Sequence, residues 1–404
     1  MAGPYSRRNL FQLAGMAASA MAANSGALAQ QTAPGGAPPA AGQRGPRGRG
    51  AAAAPGRGGR FGGGHPDPFP ALATRSTVSL VKGEDRRKIV YESLLAIDAD
   101  IQPKLKNKKY VLIKPNNVTT TNQLGASHVD ALRGALDYFS TRFKGPVVIA
   151  ESSAGNTMQG FENFGYTKLA GEYKNQKVQL IDLNEEAKYV LLPLIDFDIH
   201  VVPVRLAARM MDPDAFVVSA ACLKTHNFAV VTLSMKNMVL AAPLHYSSKE
   251  KTRWNDKRRY HVGVRQFVYN MFLTAQFLKP NWGATFIDGY EGMEGNGPAS
   301  GTPVPSRIAI ASTDYLAADR VGAECMGVDP NWLGWLKYSG EVGIGQWDIS
   351  KIDLKGPRIA EVQKKYLMHR DVDIQLKWMG PMEELPPNLG WTHPVGSHPD
   401  EAWG

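Results

Sequence analysis

From about Arg75 onward, short apolar runs alternate with helix-periodic stretches, and several of the runs end in polar or charged residues. Strands are expected at 77–81, 110–114, 147–150, 178–183, 216–223, 284–287 and 307–311, with an antiparallel pair at 190–194 and 200–204. Helical patterns fill 85–97, 129–143, 160–173, 230–240, 264–278 and 315–326; in the second of these Leu132, Leu136 and Phe139 share one side. Such alternation predicts an α/β fold: a mainly parallel sheet flanked by helices, with some antiparallel additions. A chain of 404 residues with 43 % hydrophobic content has ample material for the core this requires. The domain is placed at 75–380, and 381–404, which lacks periodicity, reads as an irregular tail.

Two segments of different texture precede the domain. Arg7-Arg8 stands before a mildly apolar stretch too short to cross a bilayer, and Ala27-Leu28-Ala29 offers small residues to a signal peptidase. Residues 1–29 therefore read as a twin-arginine signal peptide, which predicts export by the twin-arginine translocase to the periplasm or beyond. The cleavage region has no Cys for a lipid anchor, and no stable membrane anchor is expected. Residues 30–74 read as a disordered linker, since 31–64 contain 12 Gly and 5 Pro and have little to bury.

Charge is unevenly spread. Residues 1–70 carry seven Arg and one acid, whereas 71–404 carry 39 bases and 36 acids. The near-neutral domain gives no support for a nucleic-acid partner. Two cysteines exclude a disulfide scaffold and a self-supplied iron–sulfur cluster.

Ligands in open α/β sheets bind beyond the C-terminal ends of strands, and four segments put polar residues there. The first is Lys114-Pro115-Asn116-Asn117, and the second runs from Glu151 to Asn156. In the third, an apolar strand runs into Lys224-Thr225-His226-Asn227, and the helix that follows carries Lys236 and Asn237. A strand, a cationic turn and a helix N-terminus suit an anion, and His226 suits proton transfer. The fourth, 288–298, interleaves Asp288, Glu291 and Glu294 with four glycines, and Asp314 and Asp319 follow the next strand. These five acids are candidate ligands for a divalent metal. Between the last two segments, 245–261 holds six bases and three aromatics between two histidines, a pattern for a lid or a partner-binding loop.

With these segments in order, the chain resembles the family called domain of unknown function 362 over about residues 77–330. The resemblance rests on IKPN around Lys114, LKTHNFAVVTLSMKNM at 223–238, His261 before a helix, DGYEGMEGNGPASGTP at 288–303 and STDYLAADRVGAECMGVDP at 312–330. Some relatives carry ferredoxin-type cysteine clusters; Cys222 and Cys325 do not form that pattern.

Two functions remain open on these residues. One is an enzyme of metal-assisted acid–base chemistry on a small anionic substrate: His226, Lys224 and Lys236 catalytic, Lys114, Asn116, Asn237 and His261 binding substrate. The other is a non-catalytic periplasmic protein that holds an anion or handles a cofactor at the same place. In either case Lys114, Lys224, His226, Lys236, Asn237, Asp288 and Glu294 are expected to converge in one cleft at the C-terminal edge of the sheet.

Overall fold

The computed structural model describes residues 72–249 and 255–380. The proposed signal peptide, almost all of the linker, the tail and residues 250–254 of the basic segment lie outside the described residues.

Twelve strands are described: β1 (Ser76–Lys82), β2 (Tyr110–Lys114), β3 (Val147–Glu151), β4 (Val178–Asp182), β5 (Tyr189–Ile195), β6 (Val201–Ala207), β7 (Ala215–His226), β8 (Val230–Thr232), β9 (Trp282–Glu294), β10 (Thr302–Val304), β11 (Ile308–Ser312) and β12 (Ile352–Lys355). The longer helices are α1 (Arg86–Ala96), α2 (Asp98–Leu105), α3 (Val129–Arg142), α4 (Thr157–Asn163), α5 (Ser234–Ala241), α6 (Val264–Leu278), α7 (Tyr315–Cys325) and α8 (Gly334–Glu341).

The main sheet runs β12-β1-β11-β9-β7-β2-β3-β4, with β8 added to β7 and β10 to β9. From β9 to β4 all neighbours on this path are parallel. β5 and β6 pair separately and antiparallel, as expected. The fold is thus the mixed α/β architecture that the alternation predicts.

Helices cover both faces of the sheet, which explains why its central strands read as nearly continuous apolar runs. All 12 residues of β7 are buried. On one face Leu112, Val217, Leu223 and Ile287 pack with Met235 and Met238 of α5. On the other, Ile113, Phe216, Val218 and Phe286 pack with Leu94, Leu132 and Phe139 of α1 and α3. Capping fixes where helices start: Asp85 accepts from the Lys88 N–H, and Asp314 from those of Leu316 and Ala317.

Five local expectations are corrected. The helix expected at 160–173 starts at Thr157 and stops at Asn163, because Gly165 takes the left-handed conformation (φ 77°) and turns the chain. The helix expected from 230 starts at Ser234, because Val230–Thr232 pairs back onto the end of β7. The glycine-rich segment from Asp288 is strand as far as Glu294, since β11, β10 and β7 supply its backbone partners. Finally, the strand expected at 216–223 runs on to His226, so Lys224-Thr225-His226 is strand paired with β8 and not a turn; β11 is antiparallel to both β9 and β1.

Candidate functional site

Beyond the C-terminal ends of β2, β3 and β7, beside α5, the chain encloses a cavity of about 520 Å³. That volume is within the usual range for a small-molecule site. Its floor is a buried polar network built from strand ends. Lys114 closes β2 and Glu151 closes the neighbouring β3, so parallel pairing brings the two together, Nζ to Oε2 2.6 Å apart. The Lys114 ammonium also donates to Asn237 Oδ1 at 2.9 Å and to the Pro115 carbonyl, which uses its three N–H groups. Glu151 in turn accepts from the backbone N–H groups of Asn117 (3.0 Å) and Ser152 (2.7 Å). Asn116 donates to Asn237 Oδ1 at 2.9 Å, and Asn237 donates to Ser219 Oγ at 3.0 Å.

Above this floor the balance of charge is positive. Among the described residues Lys114, Lys236, Lys257 and Arg258 line the cavity, against the single carboxylate of Glu151. Lys257 donates to Ser152 Oγ at 3.0 Å and to the Leu240 carbonyl at 2.8 Å. Burial lowers its pKa to about 7, with Glu151 opposing the shift. Lys236, 3 % exposed, makes no hydrogen bond or ion pair with any described residue. Burial, and then the nearby cations of Lys224, Lys114 and Lys257, hold it well below the usual ammonium range. Asn116 Oδ1, Asn117 Nδ2 and Ser153 Oγ are buried on residues of the same cavity and have no partner among the described residues. Buried polar atoms are normally paired, so this cluster of orphans marks a place that a ligand or water completes.

Two histidines face the cavity in complementary tautomers. His226 Nδ1 accepts from the backbone N–H groups of Phe228 (3.0 Å) and Ala229 (3.2 Å), so the proton of its neutral ring is on Nε2. His261 Nδ1 lies 3.0 Å from the Lys257 carbonyl, which can only accept, so its proton is on Nδ1 and Nε2 is an open base. The two rings are stacked 6.4 Å apart, and Phe228 and Phe267 pack against His261. Burial keeps both neutral, and any charge on Lys236 would add to the effect: His226 falls well below the usual imidazole range and His261 to about 4.

The structure therefore brings together Lys114, Asn116, His226, Lys236, Asn237 and His261. Lys114 holds the floor together and has no N–H left for a substrate. The other expected residues lie elsewhere. Lys224 donates to the Gly125 carbonyl at 2.7 Å, and burial lowers its pKa to about 8. It lines a second, much smaller pocket with Cys222, Arg86 and Asp288. Asp288 is 3.3 Å from Arg86 of α1, and Glu291, largely exposed, is 3.9 Å from the same guanidinium. The cause is the alternation of side chains along a strand: Cys222 and Asp288 are register partners on the α1–α3 face, whereas Lys114 and Ser219 pair on the α5 face. Glu294 accepts from the Leu367 N–H at 2.9 Å.

Asp314 is carried to the opposite edge of the sheet because β11 runs against β9, and there it caps α7. Asp319 is buried on α7 and accepts from the N–H groups of Ser234 (2.7 Å) and Met235 (2.8 Å), capping α5 from outside. The five acids thus do not gather. Among the described residues no three His, Cys, Asp or Glu side chains are grouped to hold a metal ion.

Glu151, Asn117, Ser153 and Lys257 have no role assigned by the sequence reading, although each belongs to one of the segments it singles out. For Glu151 the signal is plain in retrospect: an acid ends β3 as a lysine ends β2.

The cavity residues run from Lys114 to Pro298, and a family profile described as domain of unknown function (DUF362) matches residues 111–324, just over half of the chain. The chain belongs to this family. A thylakoid-associated protein from Synechocystis sp. is 29 % identical over 141 residues, covering 35 % of this chain and 41 % of that relative. The chain therefore matches less than half of that relative's length. A Thermotoga maritima protein of known crystal structure is similar over 53 % of this chain and 52 % of its own, with 9 % identity and a TM-score of 0.35. That likeness is too slight to bear on topology. The whole cavity lies inside the DUF362 stretch, whereas Arg86 of the smaller pocket lies outside it.

Proposed function

We propose that this DUF362 protein binds a small organic anion in the cavity and moves a proton on it with its histidine pair. The observation that carries the reading is the imbalance of the lining: four basic side chains face one carboxylate whose two oxygens already accept three hydrogen bonds. An anion would pair with Lys257 and Arg258 and take up the unpaired Asn117 and Ser153 donors. His261 Nε2 would receive a proton from the bound molecule, and the fixed Nε2–H of His226 would donate to an oxygen on which charge develops.

Calorimetric titration of the full chain with oxalate tests this. A variant carrying Lys257→Gln and Arg258→Gln should bind oxalate at least about tenfold more weakly, roughly 1.4 kcal/mol. Equal affinity in the variant would sink the reading.

We also propose export through the twin-arginine route, supported by Arg7-Arg8 and the Ala27-Leu28-Ala29 site. Replacing both arginines with lysine should leave the precursor in the cytoplasm. Processing after Ala29 at an unchanged rate would contradict the route.

A further inference from the structure

Three lysines line the cavity, a fourth, Lys224, lines the smaller pocket behind it, and three of the four have found oxygen. Lys114 donates three times, Lys224 to the Gly125 carbonyl, and Lys257 to Ser152 Oγ and the Leu240 carbonyl. Lys236 alone among them has no partner among the described residues, although it is 3 % exposed and forms part of the cavity wall. An ammonium at this place meets no acceptor among the described residues, whereas a neutral amine leaves a lone pair open to the cavity. Its neighbours favour the second state, because Lys114, Lys224 and Lys257 all repel a further positive charge. A lysine desolvated beside other cations is the usual form of an activated amine nucleophile.

We propose that Lys236 attacks the carbonyl carbon of a small keto or aldehyde acid held in the cavity and forms an imine with it. This rests on the anion-binding reading above and adds the substrate class and the covalent step. The carboxylate of such a molecule would occupy the cationic side at Lys257 and Arg258, leaving its carbonyl for Lys236 and the histidines.

The step balances with the groups present. The Lys236 Nζ lone pair forms the C–N bond while the carbonyl π pair moves to oxygen, which accepts a hydrogen bond from His226 Nε2–H. His261 Nε2 removes a proton from the nitrogen and passes it to that oxygen, giving the carbinolamine, and then carries the second amine proton to the hydroxyl. The hydroxyl leaves as water as the C=N bond forms, and both histidines end as they began. The net change is amine plus carbonyl to imine plus water, with no oxidant or reductant. The two tautomers read from the backbone contacts supply one donor and one acceptor for this sequence.

The test is reductive trapping on the full chain with glyoxylate and sodium cyanoborohydride, followed by peptide mass mapping. The expected result is a carboxymethyl group on Lys236 well before lysines such as Lys109 and Lys188, whose side chains are 76 % and 74 % exposed. Trapping at Lys236 should be nearly independent of pH between 7 and 9, whereas at exposed lysines it should rise about tenfold per pH unit. Oxalate should slow the reaction at Lys236 only, and Lys236→Arg should lose that label while still binding oxalate. Glyoxylate that binds calorimetrically but labels only exposed lysines would overturn the imine and leave the anion site standing. Failure of both glyoxylate and oxalate to bind would overturn both.

Discussion

Lys114 and Lys236 show how little a residue type decides by itself. Both are buried beside the same cavity, yet one is saturated with acceptors and the other has none among the described residues. The Lys114–Glu151 pair is held on both sides, so removing one charge should expose the cost of the other. Glu151→Gln is expected to destabilise the protein by about 3–5 kcal/mol, measured by urea denaturation near neutral pH. A loss under about 1 kcal/mol would mean that Lys114 is not maintained as a cation by Glu151. At this scale the sequence is informative about one half of each interaction. Lys114, Asn116, His226, Lys236, Asn237 and His261 stand out because they follow strand ends or begin helices. Their partners do not, because Glu151 meets Lys114 only through the lateral pairing of β2 with β3, and strand order is not written in local pattern.

At the scale of elements, α5 is the part whose placement matters most, since it carries Lys236 and Asn237 into the cavity wall. Its N-terminus makes no side-chain cap of its own, and the carboxylate of Asp319 on α7 accepts its first two N–H groups instead. Asp319 is therefore a positioning residue for the site rather than the metal ligand that its spacing from Asp314 invites. Burial raises its pKa to about 7, against the pull of the Met235 and Ser234 N–H groups. The folded chain then keeps a proton that the unfolded chain gives up above about pH 4. This group accordingly lowers stability as pH rises from about 4 to about 7, by at most about 1.4 kcal/mol per pH unit. Asp319→Asn should remove that contribution, so the variant's stability should fall less than the wild type's over this window. Denaturation curves at pH 5, 6 and 7 check it; parallel slopes would show that Asp319 ionises normally. The dependence of α5 on another helix also explains why its start is misplaced by periodicity alone. Val230, Val231 and Leu233 suit a helix face equally well, and only the return of β8 onto β7 decides between the two.

For the whole molecule, the fold class is legible because alternation of strands and helices is a property of the chain itself. Strand direction is not, and one antiparallel strand divides the expected site. β11 runs against β9, so Asp314 leaves for the far edge, while the sheet itself separates Asp288 and Arg86 from Lys114 and Lys236. What remains at the C-terminal edge is a lysine-lined cavity with two neutral histidines and lysines whose charge burial suppresses. An anion there should reverse that suppression, since it favours the protonated form of each lysine it meets. The direct measurement is calorimetric titration of the full chain with oxalate at pH 8, repeated in Tris and in Hepes. Oxalate is fully ionised at that pH, so any difference in heat between the two buffers belongs to the protein. The prediction is saturable binding with net uptake of about one proton per oxalate, supplied to Lys257. Binding with no proton uptake, or no binding at all, would contradict it.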